Sequence, residues 1–113
     1  MANTFKIDTK TNVSNAGTGA SGTNVVTAGG SATLVLLSCL ISNKVGTSAN
    51  VDVFLVPASG DNVFLIKNDP IPAGSSLEII SGSKIIMESG DVLRINAGTA
   101  SALDAAVSYL EQT

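Results

Sequence analysis

Apolar and polar residues alternate in short runs from residue 32 onward, and this pattern predicts β-strands. Glycine, proline and serine separate the runs at intervals of about 8–12 residues, which is typical of a β-sandwich or barrel. The predicted strands are Ala32–Asn43, Asn50–Val56, Asn62–Asn68, Ser75–Ser81, Lys84–Glu88, Asp91–Ala97 and Ala102–Glu111. We therefore expect an all-β fold over residues 32–113, an antiparallel β-sandwich of about seven strands and of the jelly-roll or Ig-like type.

The first predicted strand is apolar on both of its faces. Strict alternation places Leu34, Leu36 and Leu40 on one side, and it places other apolar residues, among them Cys39 and Ile41, on the opposite side. Both faces should therefore be buried. A central strand covered on two sides would satisfy this expectation, and so would a strand whose outer face contacts another subunit.

The last predicted strand, Ala102–Glu111, has an alternative. Apolar residues recur at every second position from Leu103 to Tyr109, which fits a strand. Ala106 and Leu110, however, also share a helical stripe with Leu103. We expect a strand here and keep a helix as the alternative.

Residues 1–31 differ in composition from the rest of the chain. No charged residue occurs between Thr11 and Asn43, and small polar residues dominate Ser14–Gly22. Such residues bury little apolar surface, so packing alone cannot offset the entropy lost when they become ordered. We expect residues 1–31 to form an extended, low-charge N-terminal arm that is dispensable for folding and lies against a neighbouring subunit. A flexible linker is the alternative.

Contacts between subunits are expected from the apolar residues of this arm and of the first predicted strand. In the arm, apolar residues alternate with polar neighbours and could add a strand to the sheet edge of a partner. The expected interface residues are Phe5, Ile7, Val13, Val25, Val26, Leu34, Leu36 and Leu40.

Charge is sparse and apolar residues are abundant. Charged residues make up 13% of the chain, apolar residues 44%, and the net charge is -3. Few charges mean weak repulsion between copies, so we expect a homo-oligomer, with a trimer favoured.

No run approaches the roughly 20 apolar residues of a membrane span, and the six cations are scattered along the chain. We therefore expect neither a membrane nor a nucleic acid as partner, and the start of the chain lacks the pattern of a secretory signal.

Catalytic chemistry is poorly represented. The chain has no histidine, the commonest general base and metal ligand, and its one cysteine, Cys39, lies in an apolar run typical of a buried thiol.

Two segments match ligand-binding motifs in part. Gly17–Gly22 has the glycine spacing of a dinucleotide-binding loop but lacks the strand, helix and acid that the motif requires. Glu88–Asp91 holds two carboxylates, too few for calcium, and predicts a hairpin loop. We expect no enzyme activity and no catalytic, cofactor-binding or metal-binding residues.

Three short motifs follow one another in the order of the predicted strands. They are the turn Pro72–Gly74, the turn Glu88–Asp91 and the closing Ser108–Glu111. With this strand order, the segment from Ala32 to Glu111 resembles small virion structural proteins of tailed bacteriophages. The resemblance implies a component of the phage particle, assembled in the host cytoplasm. Its partners would be the major capsid protein or another virion protein.

Among virion components, we expect a decoration or cement protein on the head, with a tail, neck or fibre-associated component as the alternative. A hypothesis of another class is a monomeric ligand-binding β-sandwich module. Such binding sites usually present exposed aromatic rings, and the chain has no tryptophan.

Overall fold

The computed structural model describes residues 3–13, 23–80 and 84–113, and these residues form nine strands and no helix. The seven predicted strands correspond to the last seven of the nine, with small differences at their ends. The helix alternative for the last segment is wrong. The strands are β1 (Asn3–Lys10), β2 (Thr23–Thr27), β3 (Thr33–Asn43), β4 (Ala49–Val56), β5 (Val63–Ile71), β6 (Ser76–Glu78), β7 (Ile85–Met87), β8 (Val92–Ala97) and β9 (Leu103–Gln112).

The strands form two antiparallel sheets. Sheet A has the order β1-β9-β3, and the far side of β3 pairs with β6 at Leu40–Ser42 and with β7 at Leu34–Leu36. Sheet B has the order β2-β8-β4-β5. The all-β prediction is confirmed, and the arrangement is compatible with a β-sandwich.

One hydrophobic core draws residues from both sheets. On β9 the alternate residues Leu103, Ala105, Val107 and Tyr109 are buried, as period-two patterning requires. In sheet B, β4 and β8 contribute paired core residues, which are Val51 with Ala97, Val53 with Ile95 and the half-buried Leu55 with Leu93. Each large side chain that becomes fully buried stabilises the fold by about 1.5–3 kcal/mol.

A register shift in β3 corrects the predicted faces of that strand. Between Leu36 and Ser38 the pairing with β9 skips one residue, so the alternation changes phase at Leu37. Leu34 and Leu36 face the core before the shift, and Cys39 and Ile41 face it afterwards, all four being buried. The prediction that Leu40 shares a face with Leu34 and Leu36 is therefore wrong.

The expected division of the chain at residue 32 is not seen in the described residues. β1 pairs with β9 over its full length, from Asn3 opposite Gln112 to Lys10 opposite Ala105, and β2 pairs with β8. Val13, Val25 and Val26 are buried in the core that both sheets share. Composition alone pointed to an arm, but pairing with β9 holds β1 in sheet A, and Val25 and Val26 dock β2 in the core. Residues 1–2 and 14–22, which also belong to the expected arm, lie outside the described residues, as does Gly17–Gly22.

We predict that a chain starting at Ala32 fails to fold cooperatively, because it lacks two strands and at least three core valines. Three buried valines alone represent roughly 5–9 kcal/mol, which is comparable to the whole stability of a small domain. Circular dichroism melts of the truncated chain check this expectation. As a point test, Val26→Ala should lower the free energy of unfolding by about 2 kcal/mol, whereas the exposed Thr27→Ala should change it by less than about 0.5 kcal/mol. A cooperative melt of the truncated chain would show that residues 1–31 are a dispensable arm after all.

Candidate interaction face

The outer face of sheet A carries an apolar row that crosses four strands. The register places Phe5 opposite Leu110, Leu110 opposite Val35 and Val35 opposite Ile86. Directly opposite residues point to the same side of an antiparallel sheet. Phe5 is 76% exposed and Ile86 is 61% exposed, while Leu110 and Val35 are partly buried between them.

Two further apolar side chains extend this row along the same face. Ile7, two residues after Phe5 on β1, is 60% exposed, and Leu40 on β3 is 43% exposed. Beside Leu40, a shallow depression of about 210 Å³ lies between the ends of β1, β3 and β9. We refer to Phe5, Ile7, Val35, Leu40, Ile86 and Leu110 together as the outer apolar face.

Exposed apolar side chains are concentrated on this face. Six large apolar side chains are exposed among the described residues, and four of them are Phe5, Ile7, Leu40 and Ile86. Scattered exposed apolar residues are normal, whereas a contiguous group marks a contact surface. The concentration on one side of one sheet therefore makes this face the candidate contact surface of the described residues.

The polarity of β1 is inverted relative to the usual strand of a two-sheet protein. Its charged residues Lys6 and Asp8 lie opposite Tyr109 and Val107, so they point to the core side of sheet A. Its apolar residues Phe5 and Ile7 point to the outer side. A sheet with water on its outer face normally shows the reverse pattern. The inversion is a second feature that sets the outer side of β1 apart as a candidate contact surface.

Polar contacts fix the charged side of β1. The Lys6 ammonium lies 2.7 Å from a carboxylate oxygen of Glu111, and the Tyr109 hydroxyl donates a hydrogen bond of 3.1 Å to the Asp8 carboxylate. These contacts orient Lys6 and Asp8 towards the core side. Phe5 and Ile7 must then present their side chains on the outer face.

A second polar cluster closes the end of β1. Lys44 forms an ion pair of 2.8 Å with Asp104 and donates a hydrogen bond to the side-chain oxygen of Asn12. The hydrogen bond from Lys44, with one from the Asn12 backbone N–H, lowers the pKa of Asp104 below its ordinary value. This exposed cluster joins the segment after β1 to the ends of β3 and β9.

Three of the eight predicted interface residues, Phe5, Ile7 and Leu40, lie on the outer apolar face. The other five are buried in the core of the single chain, because β2 is an integral strand, Val13 is held against β9 by its backbone N–H, and the first half of β3 faces sheet B. The prediction that these five form the interface is corrected accordingly. They are Val13, Val25, Val26, Leu34 and Leu36.

Sequence reasoning missed three members of the outer apolar face, namely Val35, Ile86 and Leu110. The signal for Ile86 was present, because three consecutive apolar residues in a short strand leave the middle one on the opposite side from its neighbours. Val35 and Leu110 can be assigned only once the register between β3 and β9 is known.

The turn Glu88–Asp91 is a structural device. It connects β7 in sheet A to β8 in sheet B, so it is a crossing between sheets, and the predicted hairpin pairing is wrong. The Asp91 carboxylate accepts 3.0 Å hydrogen bonds from the backbone N–H groups of Glu88 and Ala58. In the described ranges, no three His, Cys, Asp or Glu side chains lie close enough together to hold a metal ion.

The outer face of sheet B has a different character. A row across it runs from Phe64 through Phe54 and Arg94 to Asn24. The two phenylalanine rings stack with centroids 4.8 Å apart, the Lys67 ammonium lies 4.5 Å from the Phe64 ring centre, and Arg94 donates a 2.7 Å hydrogen bond to Asn24. Phe54 is fully buried under these neighbours. The side chains of this row therefore contact one another within the chain, whereas Phe5 and Ile86 on sheet A are mostly exposed.

Two buried side chains on the core side of sheet A have raised pKa values. Burial, reinforced by the nearby Glu78 carboxylate, raises the pKa of the Cys39 thiol to about 12. Burial and the hydrogen bond to Asp8 raise the pKa of Tyr109 to about 12 as well. The thiol is fully buried, which confirms the expectation from the sequence, and it remains protonated and unreactive near neutral pH.

Comparison of the chain with protein-family models, with curated proteins and with solved structures finds no match. Within the part of the chain that the structure describes, no helix is long and apolar enough to cross a membrane.

We predict that the folded chain loses stability in alkaline solution. Folding raises the pKa of Cys39 from 9.0 and that of Tyr109 from 10.0, in both cases to about 12. Between these values the unfolded chain releases protons that the folded chain retains. The free energy of unfolding should therefore be insensitive to these groups below about pH 9 and should fall as the pH rises towards about 12.

Urea unfolding at a series of pH values between about 8 and 11 measures this decline. Tyr109→Phe should make the decline less steep above about pH 10, because the variant has no phenol to ionise. Equal declines in the wild type and in Tyr109→Phe would contradict the role assigned to Tyr109.

Proposed function

We propose that this chain is a structural protein of a tailed-bacteriophage particle, which acts by assembling in copies and by docking on other virion proteins. The most specific form of the proposal is a decoration or cement protein on the head. A tail, neck or fibre-associated component is the alternative. The observation that carries the proposal is the outer apolar face, which is contiguous, exposed and set on a sheet with inverted polarity at β1.

The dimensions of the chain support a docking role. The described residues measure 45 × 26 × 21 Å. A face formed by the two longer dimensions is large enough to bury the roughly 800 Å² that each partner contributes to a standard protein interface. Burial of exposed Phe and Ile side chains supplies binding free energy without any need for catalytic groups. The resemblance of Ala32–Glu111 to small phage virion proteins implies that the partner is the major capsid protein or another virion protein. A sandwich of the jelly-roll or Ig-like type is part of this proposal.

A monomeric ligand-binding module is the candidate from another class. Its site would be the aromatic row on sheet B, where Phe64 is partly exposed and Lys67 lies over its ring. Phe54 is fully buried, so this row presents one ring to a ligand. The outer apolar face, with four exposed large side chains, offers far more surface to a partner.

We predict that Ile86→Lys and Phe5→Lys each weaken self-association by about 10-fold or more. Burial of the wild-type Phe or Ile side chain in the interface contributes about 1.5–3 kcal/mol of binding free energy, and the lysine variant would lose this and bury a charge. A loss of about 1.4 kcal/mol raises the dissociation constant tenfold. Light scattering and sedimentation of the purified protein at micromolar concentration measure the association. The melting temperature should change little, because both residues are exposed in the single chain.

Val63→Lys is the matched control, because Val63 is 50% exposed but lies on β5 of sheet B. This variant should associate like the wild type. Normal association of the variant that carries both Ile86→Lys and Phe5→Lys would show that the outer apolar face is not an assembly surface.

We also predict that the chain copurifies with particles of the phage that encodes it, in many copies per particle. Quantitative mass spectrometry of gradient-purified particles measures the copy number. Labelling with a specific antibody in electron micrographs separates the head from the tail. Absence of the chain from purified particles would contradict the virion role and would favour the ligand-binding module.

A further inference from the structure

The strand β1 forms one edge of sheet A. One side of β1 pairs with β9 at every position from Asn3 to Lys10, without a bulge. Among the described strands none pairs with the other side. A regular edge of eight residues presents a row of backbone N–H and C=O groups, which is a template for pairing with another strand.

The charges along β1 select a partner of the same sequence. Lys6, Asp8 and Lys10 alternate in sign on the core side of the strand. If β1 of a second copy runs antiparallel with Ile7 opposite Ile7, each Lys6 faces the Asp8 of the other copy. Opposite charges directly across an antiparallel pair stabilise it, and like charges destabilise it.

Neighbouring registers are less favourable. A register centred on Lys6 places the two copies of Lys6 opposite each other, and one centred on Asp8 does the same with the two carboxylates. A register centred on Thr9 keeps an Asp8–Lys10 pair, but it leaves only residues 8–10 of the strand paired. Registers displaced by a single residue place charged side chains opposite apolar ones. The register centred on Ile7 pairs residues 4–10 and opposes no like charges.

The same register joins the apolar sides of the two copies. Ile7 lies against Ile7 of the second copy, and Phe5 lies opposite Thr9, all on the outer side of the sheet. The two outer apolar faces then form one continuous surface. Pairing through this edge therefore accounts for the alternating charges on the core side of β1, and it joins the outer apolar faces of the two copies into a wider surface that a further partner can cover.

We propose that β1 pairs antiparallel with β1 of a second copy, with Ile7 opposite Ile7, so that two sheets A become one continuous sheet. This inference rests on the proposed assembly function and specifies one of its contacts. The contact has two-fold symmetry and builds dimers and other even-numbered assemblies. The trimer favoured by the sequence would need a contact with three-fold rotation, which a self-paired strand does not supply.

Disulfide cross-linking of the full chain tests the register. Directly opposite residues in an antiparallel pair have Cα atoms about 4.5–5.5 Å apart, within the range that a disulfide spans. Ile7→Cys should therefore form a covalent dimer on mild oxidation. Cys39 is buried with a raised pKa, so the wild type should remain uncross-linked and serves as the background.

Mixed samples make the test specific for position. Lys6→Cys mixed with Asp8→Cys should give a covalent heterodimer, while either variant alone should give none. Lys10→Cys alone is the matched control, because its opposite residue in this register is Thr4. Covalent dimers of Lys6→Cys or Asp8→Cys alone would overturn the register.

Charge reversal provides a second readout that needs no cysteine. Lys6→Glu should weaken dimerisation by about 10-fold, since it would oppose the Asp8 carboxylate of the second copy. The double variant Lys6→Glu with Asp8→Lys should recover much of the loss, because the pair is restored with the charges exchanged. Thermal melts of each variant show whether the single chain is still folded, since Lys6 also contacts Glu111 and Asp8 accepts from Tyr109.

The outcomes separate this inference from the proposed function. If Ile7→Cys does not cross-link but Ile86→Lys still disrupts an oligomer of the wild type, pairing through β1 is wrong and assembly through the outer apolar face stands. If the wild type is strictly monomeric at micromolar concentration, β1 pairing is overturned, and copurification with particles then decides the virion role. Cross-linking of Ile7→Cys together with the mixed Lys6→Cys and Asp8→Cys samples supports the pairing.

Discussion

The pairing of β3 with β9 is the interaction on which the rest of the structure depends. These two strands pair from Thr33 opposite Gln112 to Asn43 opposite Leu103, and every other strand of sheet A attaches to one of them. The bulge at Leu37 lets an apolar strand of eleven residues serve two purposes. It places Leu34, Leu36, Cys39 and Ile41 in the core and leaves Val35 and Leu40 on the outer face. Without the extra residue, the second half of β3 would expose Cys39 and Ile41 and bury serines.

Hydrogen bonds between side chains and the backbone fix several loops and strand ends of the structure. The buried Asn43 donates from its amide nitrogen to the carbonyls of Thr47 and Ile71 and accepts from the Val45 N–H, which ties the end of β3 to the connection before β4 and to the end of β5. Glu78 accepts from the N–H groups of Cys39 and Ile80, and Asp91 serves two backbone donors. Among the described residues, no buried side-chain nitrogen or oxygen lacks a partner. The acidic side chains Glu78 and Asp91 thus hold the backbone in place, and the second of these belongs to the turn considered from the sequence as a calcium site.

Period-two patterning was sufficient to predict β3–β9 as strands, because each apolar run is short and bounded by turn residues. This patterning did not predict features that depend on which strands pair and in which register. The core positions of Val25 and Val26 depend on β8, and the separation of Leu40 from Leu34 depends on a bulge that no local pattern marks. The outer apolar face was predicted in part, through Phe5, Ile7 and Leu40. Its remaining members become neighbours only through cross-strand register, which relates residues as far apart as Phe5 and Leu110. The virion role and the oligomer remain predictions.

The position of Cys39 gives the molecule a natural reporter of its own dynamics. It is the one cysteine in the chain, and its buried thiol lies on the core side of β3, where Cys39 is opposite Val107 of β9 and its N–H donates to Glu78 of β6. A thiol reagent reaches that sulfur when sheet A separates from sheet B or when β3 loses its neighbours. The rate of labelling under native conditions therefore measures how often the core opens. The labelling rate of Cys39 can be compared between free chains and chains in an assembly. A contact that stabilises sheet A will slow this labelling, even though the contact itself does not touch the Cys39 sulfur.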